Sequence, residues 1–317
     1  MNQAASTPLR IALISGGNSN EASVSRTSAT AVLSALAVHY TQVQNFELDN
    51  ALIQNLTAFK PDVVFPVLHG PPGEDGTIQG LLETMQLAYV GSGVQASALA
   101  MDKIAAKGLF REAELPLADH VSAHISNGTK QAVDRVMAVL GANVVVKPAR
   151  QGSALGISLV NDIQELQKAV SKAFSYDDQV LIEQRINGRE MTVGILQDQG
   201  QAKAFPVIEI TTPENSWYDF EHRYTAGLSE HIMPANISSE ISASLQKIAI
   251  KAHICLGCRD LSRADFLLTD DDKCILLEVN TLPGMTPTSL YPDGARGFGL
   301  TFDELVKLLA EQAAARP

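Results

Sequence analysis

Arg263-Ala264-Asp265-Phe266 and Leu276-Leu277-Glu278-Val279-Asn280-Thr281 flank the charged run Asp270-Asp271-Asp272-Lys273. Two largely apolar segments around a polar turn predict an antiparallel hairpin. Side chains alternate faces along a strand, so Glu278 and Asn280 share one face and Arg263 and Asp265 share one on the other strand. Ile275, Leu277 and Val279 are then expected on the opposite, buried face. The hairpin would gather two carboxylates, a carboxamide and a guanidinium on one side. Carboxylates held that close repel, and burial adds to the cost unless something neutralises them. A hard divalent cation does so economically. Mg²⁺ takes oxygen ligands, commonly one or two carboxylates plus substrate phosphates. The hairpin therefore points to phosphoryl transfer.

Such a site needs cations for the phosphates and a cover. Val144-Val145-Val146-Lys147-Pro148 ends an apolar strand on a lysine. A lysine there is most often plain surface. Here a loop of small residues follows, Gln151-Gly152-Ser153-Ala154-Leu155-Gly156, whose backbone N–H groups can fold over phosphates. No G-x-x-x-x-G-K-[ST] run is present, so the site is not a P-loop. Glu183 closes the apolar strand Val180-Leu181-Ile182. With the backbone of Gln184–Ile186 it stands where a hinge would hold adenine and ribose. Lys103 starts a helical segment and is a second candidate phosphate contact.

The chain has 317 residues, enough for two or three packed domains. An apolar share of 45% and a near-zero mean hydropathy fit a soluble globular protein. A net charge of -11 without any Lys/Arg cluster argues against nucleic-acid binding. No apolar run reaches membrane-spanning length. The odd count of three cysteines and the lack of a signal-peptide pattern favour a cytoplasmic location as the expectation. Cys255 and Cys258 have C-x-x-C spacing but no second pair, and read as packed thiols.

Strands at 9–14, 62–68 and 87–90 alternate with helical runs, the first of them from Ser25 to Val38. This predicts a small doubly wound parallel α/β domain over 1–92. Its polar loops, 16–21 and 69–76, follow strand ends, where open α/β sheets place ligands. Residues 93–184 read as a central mixed domain. Residues 185–317 read as a C-terminal one, with strands at 190–196 and 202–210, a polar loop at 211–231, a helix at 237–256, the hairpin and a last helix at 302–314. The class is α/β, α+β in part.

With these segments in order, the chain resembles the D-alanine–D-alanine ligases of the ATP-grasp superfamily over its whole length. The likeness rests on Leu68-His69-Gly70 with Gly73-Glu74-Asp75-Gly76, Gly91-Ser92-Gly93, Met101-Asp102-Lys103, Val146-Lys147-Pro148, Gly152-Ser153, Arg263-Ala264-Asp265, Glu278-Val279-Asn280 and Pro283-Gly284-Met285-Thr286. It implies an ATP-grasp fold behind the N-terminal domain, and ATP and D-alanine as substrates. It implies Lys103 and Lys147 on the phosphates, Glu183 on the ribose, and Gln184, Ile186, Glu190 and Arg223 as further nucleotide contacts. Asp265, Glu278 and Asn280 would hold two Mg²⁺, with Mn²⁺ as a substitute.

The resemblance also assigns the amino-acid substrates. Arg263 and the N–H of Gly284 would stabilise an oxyanion, and Ser289 and Leu290 would hold the second substrate's carboxylate. His69 would lie beside the first substrate's carboxylate, and Tyr224 in the mobile 211–231 loop would partner Ser153. Family members commonly carry Glu-Val-Ser after the first strand, the glutamate taking the first substrate's ammonium. Here Ser23-Val24-Ser25 aligns, with Glu21 two residues earlier as a possible substitute. That leaves open a related carboxylate–amine ligase with another first substrate, or a nucleotide-binding paralogue with little catalysis. The likeness further suggests a homodimer through the N-terminal domain.

Overall fold

A computed structural model describes residues 9–19, 21–213, 225, 227–286 and 288–316. Three sheets carry the molecule. The first is parallel, in the order β2-β1-β3, from β1 (Arg10–Ser15), β2 (Gln42–Glu47) and β3 (Val63–Pro66). The alternation along β1 sets up two cores. Ile11 and Leu13 pack under helix α1 (Ala22–Ala37), while Ala12 and Ile14 pack under α2 (Leu52–Phe59) and α3 (Thr77–Thr84). Both faces of the sheet are covered, as a doubly wound domain requires.

Two details differ from expectation. The segment 87–90 contributes only an isolated bridge, Val64 to Tyr89. The third strand is instead β2, whose mainly polar sequence and half-exposed edge position leave little apolar signal.

The second sheet is antiparallel, ordered β4-β7-β5-β6, from β4 (His120–His124), β5 (Val144–Pro148), β6 (Ser158–Val160) and β7 (Gln179–Gln184). Two helices back it, α6 (Gly128–Val139) and α7 (Ile163–Phe174). The third sheet is built around β8 (Arg189–Asp198), flanked by β10 (Ile208–Thr211) and β11 (Glu230–Ile232) on one side. On its other side lie β12 (Leu261–Leu268) and β13 (Cys274–Asn280), and β9 (Gln201–Ala204) pairs β8 at its end. The single strand expected over 202–210 is thus two, parted at Phe205-Pro206-Val207, where a proline has no N–H for a ladder.

Helices α4 (Val94–Met101) and α5 (Lys103–Glu112) pack with α8 (Ser239–Cys255) on this third sheet. After α9 (Leu290–Phe298), the last helix α10 (Phe302–Ala314) returns to pack on α1 and the first sheet. Cys258 is buried and its thiol is pushed up to about 12 by that burial; all three cysteines are free.

The β12–β13 hairpin forms as the sequence requires, with Arg263 opposite Asn280 and Asp265 opposite Glu278. A bulge follows, so that Phe266 faces Leu276. The extra residue reverses the parity beyond it. The buried side is therefore Cys274, Leu276 and Val279, packed with Ala264, Phe266 and Leu268. Ile275 and Leu277, expected there, are half-exposed.

Candidate active site

Asp265 is the most heavily bonded group of the hairpin. Arg263 grips it with two bonds, Nε to Oδ1 and Nη2 to Oδ2, both 2.8 Å. Thr192 of β8, directly opposite, donates to Oδ1 at 2.6 Å, and Asn280 Nδ2 donates to Oδ2 at 3.1 Å. Glu278 Oε2 lies 3.7 Å from Lys103 Nζ. Each carboxylate thus has a cation beside it, as burial demands. The donors suit a hard cation: two carboxylates and a carboxamide whose oxygen a flip would present. Among the described residues no group of three or more acidic, His or Cys side chains gathers for a metal. Oxygens of a bound phosphate would have to complete the coordination.

A cleft of about 780 Å³ opens beside the hairpin. Its walls bring together Glu21, His69, Lys103, Ser153, Arg263, Glu278, Asn280, Gly284, Ser289 and Leu290 from all parts of the chain. Glu21 immediately precedes α1, yet its carboxylate caps no helix N–H. It turns into the cleft, only 6% exposed, and accepts a hydrogen bond from Ser153 Oγ in the small-residue loop. Close approach explains two glycines here. A Cβ at Gly70 would meet Glu21 Oε2 at 3.0 Å, and one at Gly152 would meet it at 3.3 Å.

Ser23 does not share this place. It is exposed on α1 and absent from the cleft wall. Two residues along a helix is more than half a turn, so the side chain leaves the face that Glu21 occupies. Of the two residues it is Glu21, not Ser23, that brings a carboxylate to the cleft wall.

His69 is buried beside Glu21. Burial pushes its imidazole down, against the pull of Glu21, and Arg263 adds to the depression. On the same cleft wall, Ser289 and Leu290 open helix α9. Ser289 Oγ is fixed by Thr286 through N–H at 3.1 Å and Oγ1 at 2.7 Å. A helix start with free N–H groups receives a carboxylate well. Gly284 stands so near that a Cβ there would lie 3.0 Å from Ser289 Oγ.

Apart from Lys103, the described nucleotide candidates lie outside this cleft. Lys103 joins the two regions: its Nζ donates to Gln151 O at 2.6 Å, while Asp102 caps α5 through the N–H groups of Ile104 and Ala105. Lys147 lies diagonally across from Glu183 on paired strands, and their charged atoms are 2.5 Å apart. Glu183 also meets Lys107 Nζ at 2.6 Å. Burial alone would raise the Glu183 carboxyl, but the two ammonium groups outweigh it and bring it down to about 2. The carboxylate points inward, 2% exposed, with a lysine on each oxygen. Gln184 is exposed at the strand end, and Ile186 and Glu190 are half-buried. Arg223 and Tyr224 lie outside the described residues.

The D-ala D-ala ligase C-terminus family model matches residues 109–311, and the D-ala D-ala ligase N-terminus model matches 41–92. This chain belongs to the D-alanine–D-alanine ligase family. A D-alanine–D-alanine ligase of Halalkalibacterium halodurans is 41% identical over 300 residues, 94% of this chain and 97% of that one. D-alanyl-alanine synthetase A of Vibrio cholerae superposes with a TM-score of 0.86 at 27% identity, over 98% of this chain and 100% of the other. The VanG D-Ala:D-Ser ligase of Enterococcus faecalis does so with a TM-score of 0.83 at 31% identity, over 97% and 100%. The ATP-grasp expectation and the mixed α/β class hold.

Two residues of this ligase-family site escaped the sequence reading. Lys107 carried a signal, its i,i+4 spacing from Lys103 on one helix, which puts two like charges on one face. Glu74 was quoted only as part of a loop motif. It lines the cleft and accepts from Gly70 N at 2.6 Å, while burial and the nearby Glu21 push its carboxyl up to about 8. The folded state then holds a proton that an ordinary glutamate, at 4.5, has lost. Stability from this proton is complete below the unfolded value and is lost as pH rises through the folded one. We expect Glu74→Gln to flatten the fall of the urea midpoint between about pH 5 and 8. Parallel profiles for the two proteins would contradict this.

Proposed function

We propose that the chain is an ATP-dependent D-alanine–D-alanine ligase, working in peptidoglycan precursor synthesis. The observation that carries the reading is one cleft lined by both an anionic seat and a helix start. Glu21, held by Ser153, suits an ammonium group; Ser289 and Leu290 suit a carboxylate. The hairpin residues Arg263, Glu278 and Asn280 line the same cleft.

In this reading Glu21 orients the first D-alanine through its ammonium, and His69 lies beside its carboxylate. A carboxylate oxygen attacks the γ-phosphorus of ATP and ADP leaves. Lys103 and Lys147 hold the phosphates, and Gln184, Ile186, Glu190 and Arg223 contact the rest of the nucleotide. Asp265, Glu278 and Asn280 would hold two Mg²⁺, which supply charge neutralisation at the transferring phosphoryl group. Activation is needed because a free carboxylate is a poor electrophile in water. The deprotonated amine of the second D-alanine, anchored at Ser289 and Leu290, then attacks the acyl-phosphate carbonyl. Arg263 and the Gly284 N–H meet the developing oxyanion, a kind of contact worth roughly 3–4 kcal/mol. Phosphate leaves with the electron pair of the broken bond. By the same resemblance Tyr224 would partner Ser153.

Among the described residues no helix is long and apolar enough to cross a membrane. A cytoplasmic homodimer goes with the same reading. Phosphate release from ATP should require D-alanine alone, and mass spectrometry should find the dipeptide. A panel adding D-serine and D-lactate defines the second site. Turnover with those partners but none with D-alanine alone would overturn the assignment.

A further inference from the structure

Lys107 is the one lysine among the described residues that is buried. It is 1% exposed, reaches Glu183 at 2.6 Å, and touches no wall of the cleft. Lys147 forms an ion pair with the other oxygen of the same carboxylate at 2.5 Å, with its side chain 14% exposed. One anion thus serves two cations of unequal depth. Glu183 is ionised, and burial makes an uncompensated charge there costly.

We infer that Lys107 is a positioning residue: it keeps Glu183 neutralised from the inside, so that Lys147 can leave Glu183 for the phosphates of a nucleoside triphosphate. Without Lys107, Lys147 would be the only remaining ammonium on a buried carboxylate. It would then be held there, and phosphate would have to compete with a low-dielectric ion pair. The helix makes the arrangement. Lys103 and Lys107 are one turn apart on α5, the first turned to Gln151 and Glu278 and the second to Glu183. One helix face thus sends one lysine toward the site and one behind it.

The inference rests on ATP as a substrate, and the test separates the two claims. Affinities for magnesium–ATP and for adenosine, which lacks phosphates, are measured by calorimetry on the full chain. The wild-type protein is expected to prefer ATP. Lys107→Met is expected to lose at least tenfold of that preference with adenosine binding unchanged. The double variant Lys107→Met/Glu183→Gln, which removes the anion as well, is expected to regain most of it. An unchanged preference in Lys107→Met overturns the inference, as does equal weakening of both ligands, the mark of a merely structural role. Should Lys107→Met fail to fold, Glu183→Gln alone must keep the wild-type preference; a tenfold fall overturns the inference. A wild-type protein that binds neither ligand removes the ATP reading itself, and the inference with it.

Discussion

Glu278→Gln is expected to lower kcat about 100- to 1,000-fold without loss of the fold, the scale on which a single electrostatic contact to a transition state acts. The residue faces the cleft, opposite Asp265, and its nearest cation is Lys103 at 3.7 Å. Glutamine keeps the shape and leaves no charge buried alone, because that lysine also donates to Gln151 O. The loss should therefore fall on turnover. Steady-state phosphate release, read beside a thermal melt, separates the two. Raising Mg²⁺ should recover part of the rate if the carboxylate serves the ion. A loss of less than tenfold would remove the hairpin from the chemistry.

Glu21→Gln should raise KM for D-alanine about 10- to 150-fold, from a charge-assisted hydrogen bond worth roughly 1.5–3 kcal/mol. The carboxylate is buried between Gly70, Gly152 and Ser153, so no solvent charge can replace it. Ser23→Glu is the matched control. It adds a charge on an exposed helix surface and should leave KM within about twofold, as surface changes usually do. The reverse ranking, a large effect at Ser23 and a small one at Glu21, would place the ammonium at Ser23 instead.

The hairpin itself was readable because alternation is a strict rule: once two strands and a turn are recognised, Arg263, Asp265, Glu278 and Asn280 must cluster. The bulge at Leu277 was not, since one inserted residue changes parity without changing composition. Strand β2 was hidden because an edge strand with one buried phenylalanine looks like a loop. The Glu21 and Ser23 confusion has a different origin. Both lie near a strand–helix junction, and only the start of α1 decides which of them faces inward. Glu183 was placed correctly at a strand end, but its inner partner Lys107 comes from a helix far earlier in the chain, a distance that periodicity cannot bridge. Tyr224 and Arg223 keep only their sequence-based roles.

The central claim is that D-alanine is activated as an acyl phosphate on this platform. D-Alanine labelled with ¹⁸O in its carboxylate tests it directly. The amine of the second substrate expels phosphate that includes one carboxylate oxygen, so inorganic phosphate should carry one ¹⁸O for each dipeptide formed. Dipeptide formation with no label in the phosphate would contradict the account.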